Sequence, residues 1–421
     1  MKSLDVEKIA FDLIMTDDVE EKKSLCKRIS SIAYENGVYP SSMHEFYMAL
    51  GRGEFGGFTV PAINLRGMTY DLARAIFRVA KKNKSGAFVF EIARSELKYT
   101  SQLPAEYSGV VLAAAIKEGF QGPVFIQADH VQVNAKKFQT KPGEELDALK
   151  ALIAEYIGAG FYNIDIDSST LVDLSKNDIN DQQRLNFEVC AELTKFIRQV
   201  QPRGIEISVG GEIGEVGGKN STPEDLRAFM KGFKEKLGNG LTGISKISVQ
   251  SGTHHGGVVL PDGTIAQVKL DFDTLKTLSK IARGEFGLGG VVQHGASTLP
   301  AELFHKFPEA GTAEVHLATE FQNRIYESQH FPQDLKVKIY EWIKTNLVSE
   351  KREGETEEQF LYKTRKKALG PFKKEIMGLP HAVRDAIVVD IEDKLDSMFK
   401  ELNSVNNEKL VEKYTTLKRV Q

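Results

Sequence analysis

An alternation that begins at residue 58 constrains this chain most. Short apolar runs rich in β-branched residues occur at Phe58–Asn64, Ala87–Ala93, Pro123–Asp129, Phe161–Asp167, Ile205–Glu212, Lys246–Gly252, Gly290–Gly295 and Thr312–Thr319. Between them lie amphipathic stretches such as Asp71–Asn83, Leu146–Gly158, Leu185–Gln199, Pro223–Leu237, Phe272–Arg283 and Pro300–Phe307. Strands separated by helices read as β–α units, because parallel strands need long crossover connections. Eight such runs are the number that closes a (β/α)8 TIM barrel, and a doubly wound open sheet is the competing arrangement. In either, ligands bind at the carboxyl ends of the strands.

The flanks read as helical. Residues 1–50 form an N-terminal helical segment of two or three helices, residues 51–330 the barrel, and residues 331–421 a C-terminal helical extension. Helices are expected in the extension over Asp334–Asn346 and Ala382–Asn403, with a break at Leu379-Pro380. The extension carries no evident chemistry. Packing against the barrel or another subunit is the plainer expectation for it, and a reach into an active site the sharper one. A net charge of −3 gives no reason to expect nucleic acid or an anionic membrane as partner. No apolar run approaches the ~18 residues of a membrane span. Cys26 and Cys190 form no paired motif, which fits a reducing compartment and excludes a Cys-based zinc finger. With no signal-peptide pattern after Met1, a cytoplasmic enzyme is expected.

Metal-type ligands cluster where the apolar runs end. Asp129 and His130 close the third run, Asp167 the fourth and Glu212 the fifth. His254-His255-Gly256-Gly257 follows the sixth and His294-Gly295-Ala296-Ser297 the seventh. Three separated imidazoles on three strand ends, His130, His255 and His294, match a three-ligand zinc site with an open position. For His130 alone, a hydrogen-bonded rim histidine is an equally good reading. Asp129 and His130 can serve one site only if the strand ends there, since neighbouring strand residues face opposite ways. Val131 and Gln132 would also allow the strand to continue. Asp167 and Glu212 are costly to bury unless paired or metal-bound. Gly256, Gly295 and Ser297 can offer N–H groups and a hydroxyl to a phosphate, with Thr319 on the same side; ordinary tight turns are the alternative. The glycine-rich run Gly210–Gly218 is a weak phosphate-loop signal and reads as a mobile loop over the site.

On these residues the chain resembles the class II, metal-dependent fructose-bisphosphate and tagatose-bisphosphate aldolases, from about Phe58 to Gln322. The matching segments, in order, are Asp129-His130, Asp165-Ile-Asp167-Ser-Ser, Glu212-Ile-Gly-Glu-Val-Gly-Gly, His255-Gly256 with Lys269-Leu-Asp-Phe beyond it, His294-Gly295-Ala-Ser297, and Glu314-Val-His-Leu-Ala-Thr-Glu320. The resemblance implies a homodimer or higher homo-oligomer acting on a small sugar phosphate. It implies Zn2+ or another divalent metal held by His130, His255 and His294, with a monovalent cation as an optional second ion. Glu212 and Asp167 would be alternate or outer ligands, and Asp129 the acid/base. Gly256, Gly295, Ser297, His316 and Thr319 would contact substrate and phosphate. The chain departs from the family in three places. Val258-Val259 stands where Tyr-Lys is usual, His316 where asparagine is usual, and Lys219-Asn220-Ser221 where loop acids are usual. These leave the proton donor of the loop and the second phosphate contact unassigned. A metal-dependent aldolase or epimerase on another sugar phosphate, such as tagatose 1,6-bisphosphate, is the enzymatic alternative. A non-catalytic barrel subunit of an aldolase complex is the other.

Overall fold

The computed structural model describes residues 3–214, 219–252 and 270–415. His255, Gly256, Glu215 and Lys269 lie outside the described residues.

Among the described residues, nine parallel strands form one sheet: β1 (Val38–Ser41), β2 (Val60–Asn64), β3 (Val89–Ala93), β4 (Gly122–Gln132), β5 (Asn163–Asp167), β6 (Ser208–Glu212), β7 (Lys246–Val249), β8 (Val291–Gln293) and β9 (Glu314–Leu317). Strands β2 to β9 pair in sequence, and β9 returns to β2, so the eight close on themselves as a (β/α)8 barrel. The open-sheet alternative is thereby excluded. Seven of the eight apolar runs contain their strands whole, and β4 overruns Pro123–Asp129 at both ends.

The ninth strand, β1, falls inside the N-terminal segment where only helices were expected. It lies beside Gly122–Phe125 of β4, while β5 takes the same edge of β4 from Gln127 onward. The extra length of β4 thus leaves room for a short strand below β5. Four residues in Val-Tyr-Pro-Ser carry no periodicity that could separate a strand from a loop, and only the partner edge makes them one.

Inside the barrel, period-two alternation sorts residues into tiers. Val60, Ala62, Val89 and Phe125 form an apolar floor with Phe46, Tyr47 and Leu50 of the helix His44–Gly51 and Met43 at its N-cap. Above it, Glu91, Gln127, Asp165, Lys246 and Glu314 are all essentially buried. Lys246 Nζ donates to Gln127 Oε1 at 2.7 Å and to Asp165 Oδ2 at 3.0 Å, and it also contacts Glu314. A buried charge is tolerable only when paired in this way. Gly210 makes the space: a β-carbon there would lie 2.2 Å from Asp165 Oδ1. Gly210 and Gly211 therefore belong to β6, not to a loop over the site. Outward residues such as Ile63, Phe90, Ile126, Ile164 and Ile247 join the surrounding helices in the main core.

The extension packs on the barrel through helix His381–Glu401, which Pro380 caps as the break at Leu379-Pro380 anticipated. Arg384 reaches the buried Asp71 at 3.3 Å, and Asp396 accepts from Asn83 at 2.6 Å and Lys82 at 2.9 Å. The helix expected over Pro300–Phe307 is instead a 3-10 turn (Ala301–Leu303) and a one-turn helix (Lys306–Glu309). Pro308, which lacks an N–H, limits helix growth there.

Candidate active site

All described residues named at strand ends converge on the carboxyl mouth of the barrel. The decisive local feature is in β4. This strand does not end at Asp129, as the apolar run suggested, but runs on to Gln132. Its register against β5 shifts between Ala128 and Val131, and His130 takes a left-handed backbone with φ of 41°. A bulge of this kind re-aims a side chain at a sheet rim. It turns His130 to the same side as Asp129, so both face one site although the strand continues.

His130 Nδ1 lies 3.2 Å from Asp167 Oδ2 and 3.5 Å from Glu212 Oε2, and its Nε2 lies 3.8 Å from Asp129 Oδ1. The His294 ring stands 4.2 Å from that of His130, centroid to centroid, and 4.1 Å from that of His316. His294 Nε2 also meets Ser248 Oγ at 3.0 Å. Ligand atoms of Asp129, His130 and His294 lie within 4.8 Å of one another, and so do those of His130, Asp167 and Glu212. Two metal-type groups therefore share His130. Imidazoles backed by buried carboxylates form a donor set that fits a borderline-soft divalent cation such as zinc.

Burial and mutual repulsion govern the protonation of these groups. Burial works against a charged His130, but Asp129, Asp167 and Glu212 outweigh it and hold its pKa well above the ordinary range. Burial alone would raise Asp167, yet hydrogen bonds from His130, Ser169 and Gln132 keep it below its usual value. Glu212, buried beside Asp167, is pushed well up.

His316 closes the floor of the site. Its Nε2 lies 2.7 Å from Glu314 Oε1, and its Nδ1 lies 2.9 Å from Glu91 Oε2 and 3.2 Å from Asp129 Oδ1. Burial and the neighbouring carboxylates push Glu91 up to about 7. His316 thus joins Asp129 to the buried charge tier.

Above these residues opens a cleft of about 730 Å3. Asp129, His130, His294, Gly295, Ser297, His316 and Thr319 all line it. Gly295 has φ of 69°, and Ser297 Oγ accepts from the Glu320 N–H at 3.3 Å, next to the start of helix Thr319–Glu327. Strand ends alone did not single out Glu91, Gln127 or Lys246. A charged residue within an apolar strand was the available signal for Glu91 and Lys246, because such residues rarely enter a core unpaired. Arg66, Arg94, Lys98 and Lys366 also line the cleft, and no local pattern marks them.

A closed parallel barrel whose mouth carries histidines and carboxylates that could hold a metal ion has the architecture of a barrel enzyme. The sequence matches the family model "Fructose-bisphosphate aldolase class-II" over residues 47–377, beyond both ends of the motif-bearing stretch. The chain belongs to the class II fructose-bisphosphate aldolase family. A fructose-bisphosphate aldolase of Giardia intestinalis is 24% identical over 263 residues, or 60% of this chain. The match spans 65% of that relative's own length, just under two thirds. Among solved structures, the fructuronate-tagaturonate epimerase UxaE of Cohnella laeviribosi superposes with a TM-score of 0.62 at 11% identity, over 91% of this chain and 86% of that one. A Coccidioides immitis protein provisionally assigned as a fructose-1,6-bisphosphate aldolase gives 0.51 at 18% identity, over 86% and 97%. At these identities the two structures are similar in fold alone.

Proposed function

We propose that this protein is a divalent-metal-dependent aldolase that reversibly cleaves a ketose bisphosphate, with fructose 1,6-bisphosphate the first candidate, to dihydroxyacetone phosphate and glyceraldehyde 3-phosphate. The observation that carries this reading is the bulge that brings Asp129 and His130 together with His294 in a cleft shared with Gly295, Ser297 and Thr319. His130, His294 and His255 would hold Zn2+ or a similar ion, with Asp167 and Glu212 as alternate or outer ligands. Such an ion would supply Lewis-acid stabilisation of enediolate charge.

The chain's own residues do the rest. Asp129 takes the proton from the hydroxyl on the far carbon of the bond that breaks. That carbon becomes an aldehyde as the bonding electrons pass to the enediolate. His316, 3.2 Å from Asp129, keeps this carboxylate oriented for the step. The Gly295 N–H and the Ser297 and Thr319 hydroxyls receive the phosphate of the ketone half. Cleavage followed by re-addition to the other face of the aldehyde would invert one carbon, so the same residues suit an epimerase. His316 in place of asparagine and the barrel likeness to a sugar-acid epimerase favour keeping that second reading. A homo-oligomer in the cytoplasm completes the proposal.

Triose-phosphate release from fructose 1,6-bisphosphate by metal-loaded protein tests it. We expect release that a chelator abolishes and added metal restores, and at least a hundredfold loss in His294→Ala. Release that persists after metal removal refutes the metal mechanism. Release from tagatose 1,6-bisphosphate alone shifts the substrate, and interconversion without release supports the epimerase.

A further inference from the structure

We infer that the C-terminal extension completes the substrate site, with Lys366, Arg66 and Lys98 forming a recognition point for a second anionic group of the substrate. The inference deepens the ketose-bisphosphate reading and rests on it for the identity of the ligand.

Lys366 lies on the 3-10 turn Arg365–Ala368 and faces the same cleft as Asp129, His316 and Ser297. Among the described residues its ammonium makes no hydrogen bond or ion pair and sits 6.0 Å from the Tyr99 ring centroid. Burial and the nearby Arg66 guanidinium both press its pKa downward. A half-buried cation with no carboxylate in direct contact is unfavourable unless something anionic joins it. Arg66 Nε is held by Glu96 Oε1 at 2.7 Å, and Glu96 also accepts from Asn64 at 2.6 Å and from the Ala93 N–H at 2.8 Å. Glu96 is thereby engaged by several donors, and Lys366 feels it, like Glu350, only at longer range. Arg94, by contrast, is already occupied by Glu145 at 2.7 Å.

The turn that carries Lys366 is rigidly placed. Arg365 donates to Asn323 at 2.6 Å and Glu327 at 2.7 Å, and its guanidinium lies 4.6 Å from the Tyr362 ring centroid. The Gly370 N–H donates to Tyr99 O at 3.0 Å, and a β-carbon at Gly370 would lie 2.4 Å from that oxygen. The extension is therefore locked to the loop after β2 and to helix Arg94–Thr100, which bring Arg66 and Lys98. With the turn anchored through Arg365 and Gly370, Lys366 is a pre-organised cation in the cleft, which suits a phosphate or carboxylate.

The test compares fructose 1,6-bisphosphate with fructose 1-phosphate on the full, metal-loaded chain. Lys366→Ala should lower the kcat/KM preference for the bisphosphate at least tenfold, mainly through KM, and Lys366→Arg should restore most of it. An unchanged preference overturns the inference. A second measurement needs no turnover: titration with inorganic phosphate should find two sites per wild-type chain and one in Lys366→Met, at equal thermal stability. Acetate in the same titration shows whether the anion is a carboxylate instead. Should neither sugar be cleaved while Lys366-dependent anion binding remains, the aldolase reading fails and the anion site stands. Anion binding indifferent to residue 366 removes the site.

Discussion

At the scale of single residues, the site depends on buried groups whose charge is fixed by their neighbours. His44 shows the opposite case at the other end of the barrel. It is 7% exposed, and burial together with Arg198 depresses its pKa to about 3. Below about pH 6.5 the unfolded chain gains a proton at this position, whereas the folded chain refuses it until about pH 3. The unfolded state then binds more protons, so stability falls as pH drops through that window and is unaffected above it. The slope can reach about 1.4 kcal/mol per pH unit. Chemical denaturation of wild type and His44→Gln should give a stability difference that is flat above pH 7 and changes steadily from pH 6 to pH 4. A difference constant over the whole range would contradict the assignment.

At the scale of elements, two irregularities place the chemistry. The bulge in β4 sets Asp129 and His130 side by side, which regular alternation forbids. The turn Arg365–Ala368 and its continuation to Gly370 seat the extension on the barrel. Gly370 has no room for a β-carbon against Tyr99 O and Ser101 Oγ. Gly370→Val should therefore unseat the turn. Limited proteolysis should cut the variant near residue 370 well before wild type, and the thermal midpoint should fall by several degrees, about 1–3 kcal/mol for an overpacked site. A variant as resistant as wild type would show that this contact does not hold the turn.

At the scale of the molecule, the barrel is tied across its interior by charge. Lys246 on β7 bonds Gln127 on β4, Asp165 on β5 and Glu314 on β9. Tyr47 reaches Glu314 from the floor. Removing one member of such a set leaves uncompensated buried charge, at a cost of about 3–5 kcal/mol. Lys246→Met should lose that much in equilibrium unfolding, and the added variant Lys246→Met with Glu314→Gln should regain part of it. Additive losses in the pair would mean that Lys246 and Glu314 do not interact as the geometry indicates.

The sequence by itself determined the eight barrel strands and the identity of the rim residues. Strand composition, helical periodicity and the position of polar residues at strand ends are local properties, and local pattern is what a chain displays directly. Asp167, Glu212 and His294 fall where their apolar runs stop, so their convergence followed once the strands were parallel. Tertiary structure alone decided the rest. It made Val38–Ser41 a strand by offering the free edge of β4. It turned His130 with a positive φ, fixed by strand pairing and not by its neighbours in sequence. It also carried Lys366, 300 positions from Arg66, into the same cleft. Contacts between residues so far apart leave no periodic trace, because they depend on how finished elements pack and not on how any one of them forms.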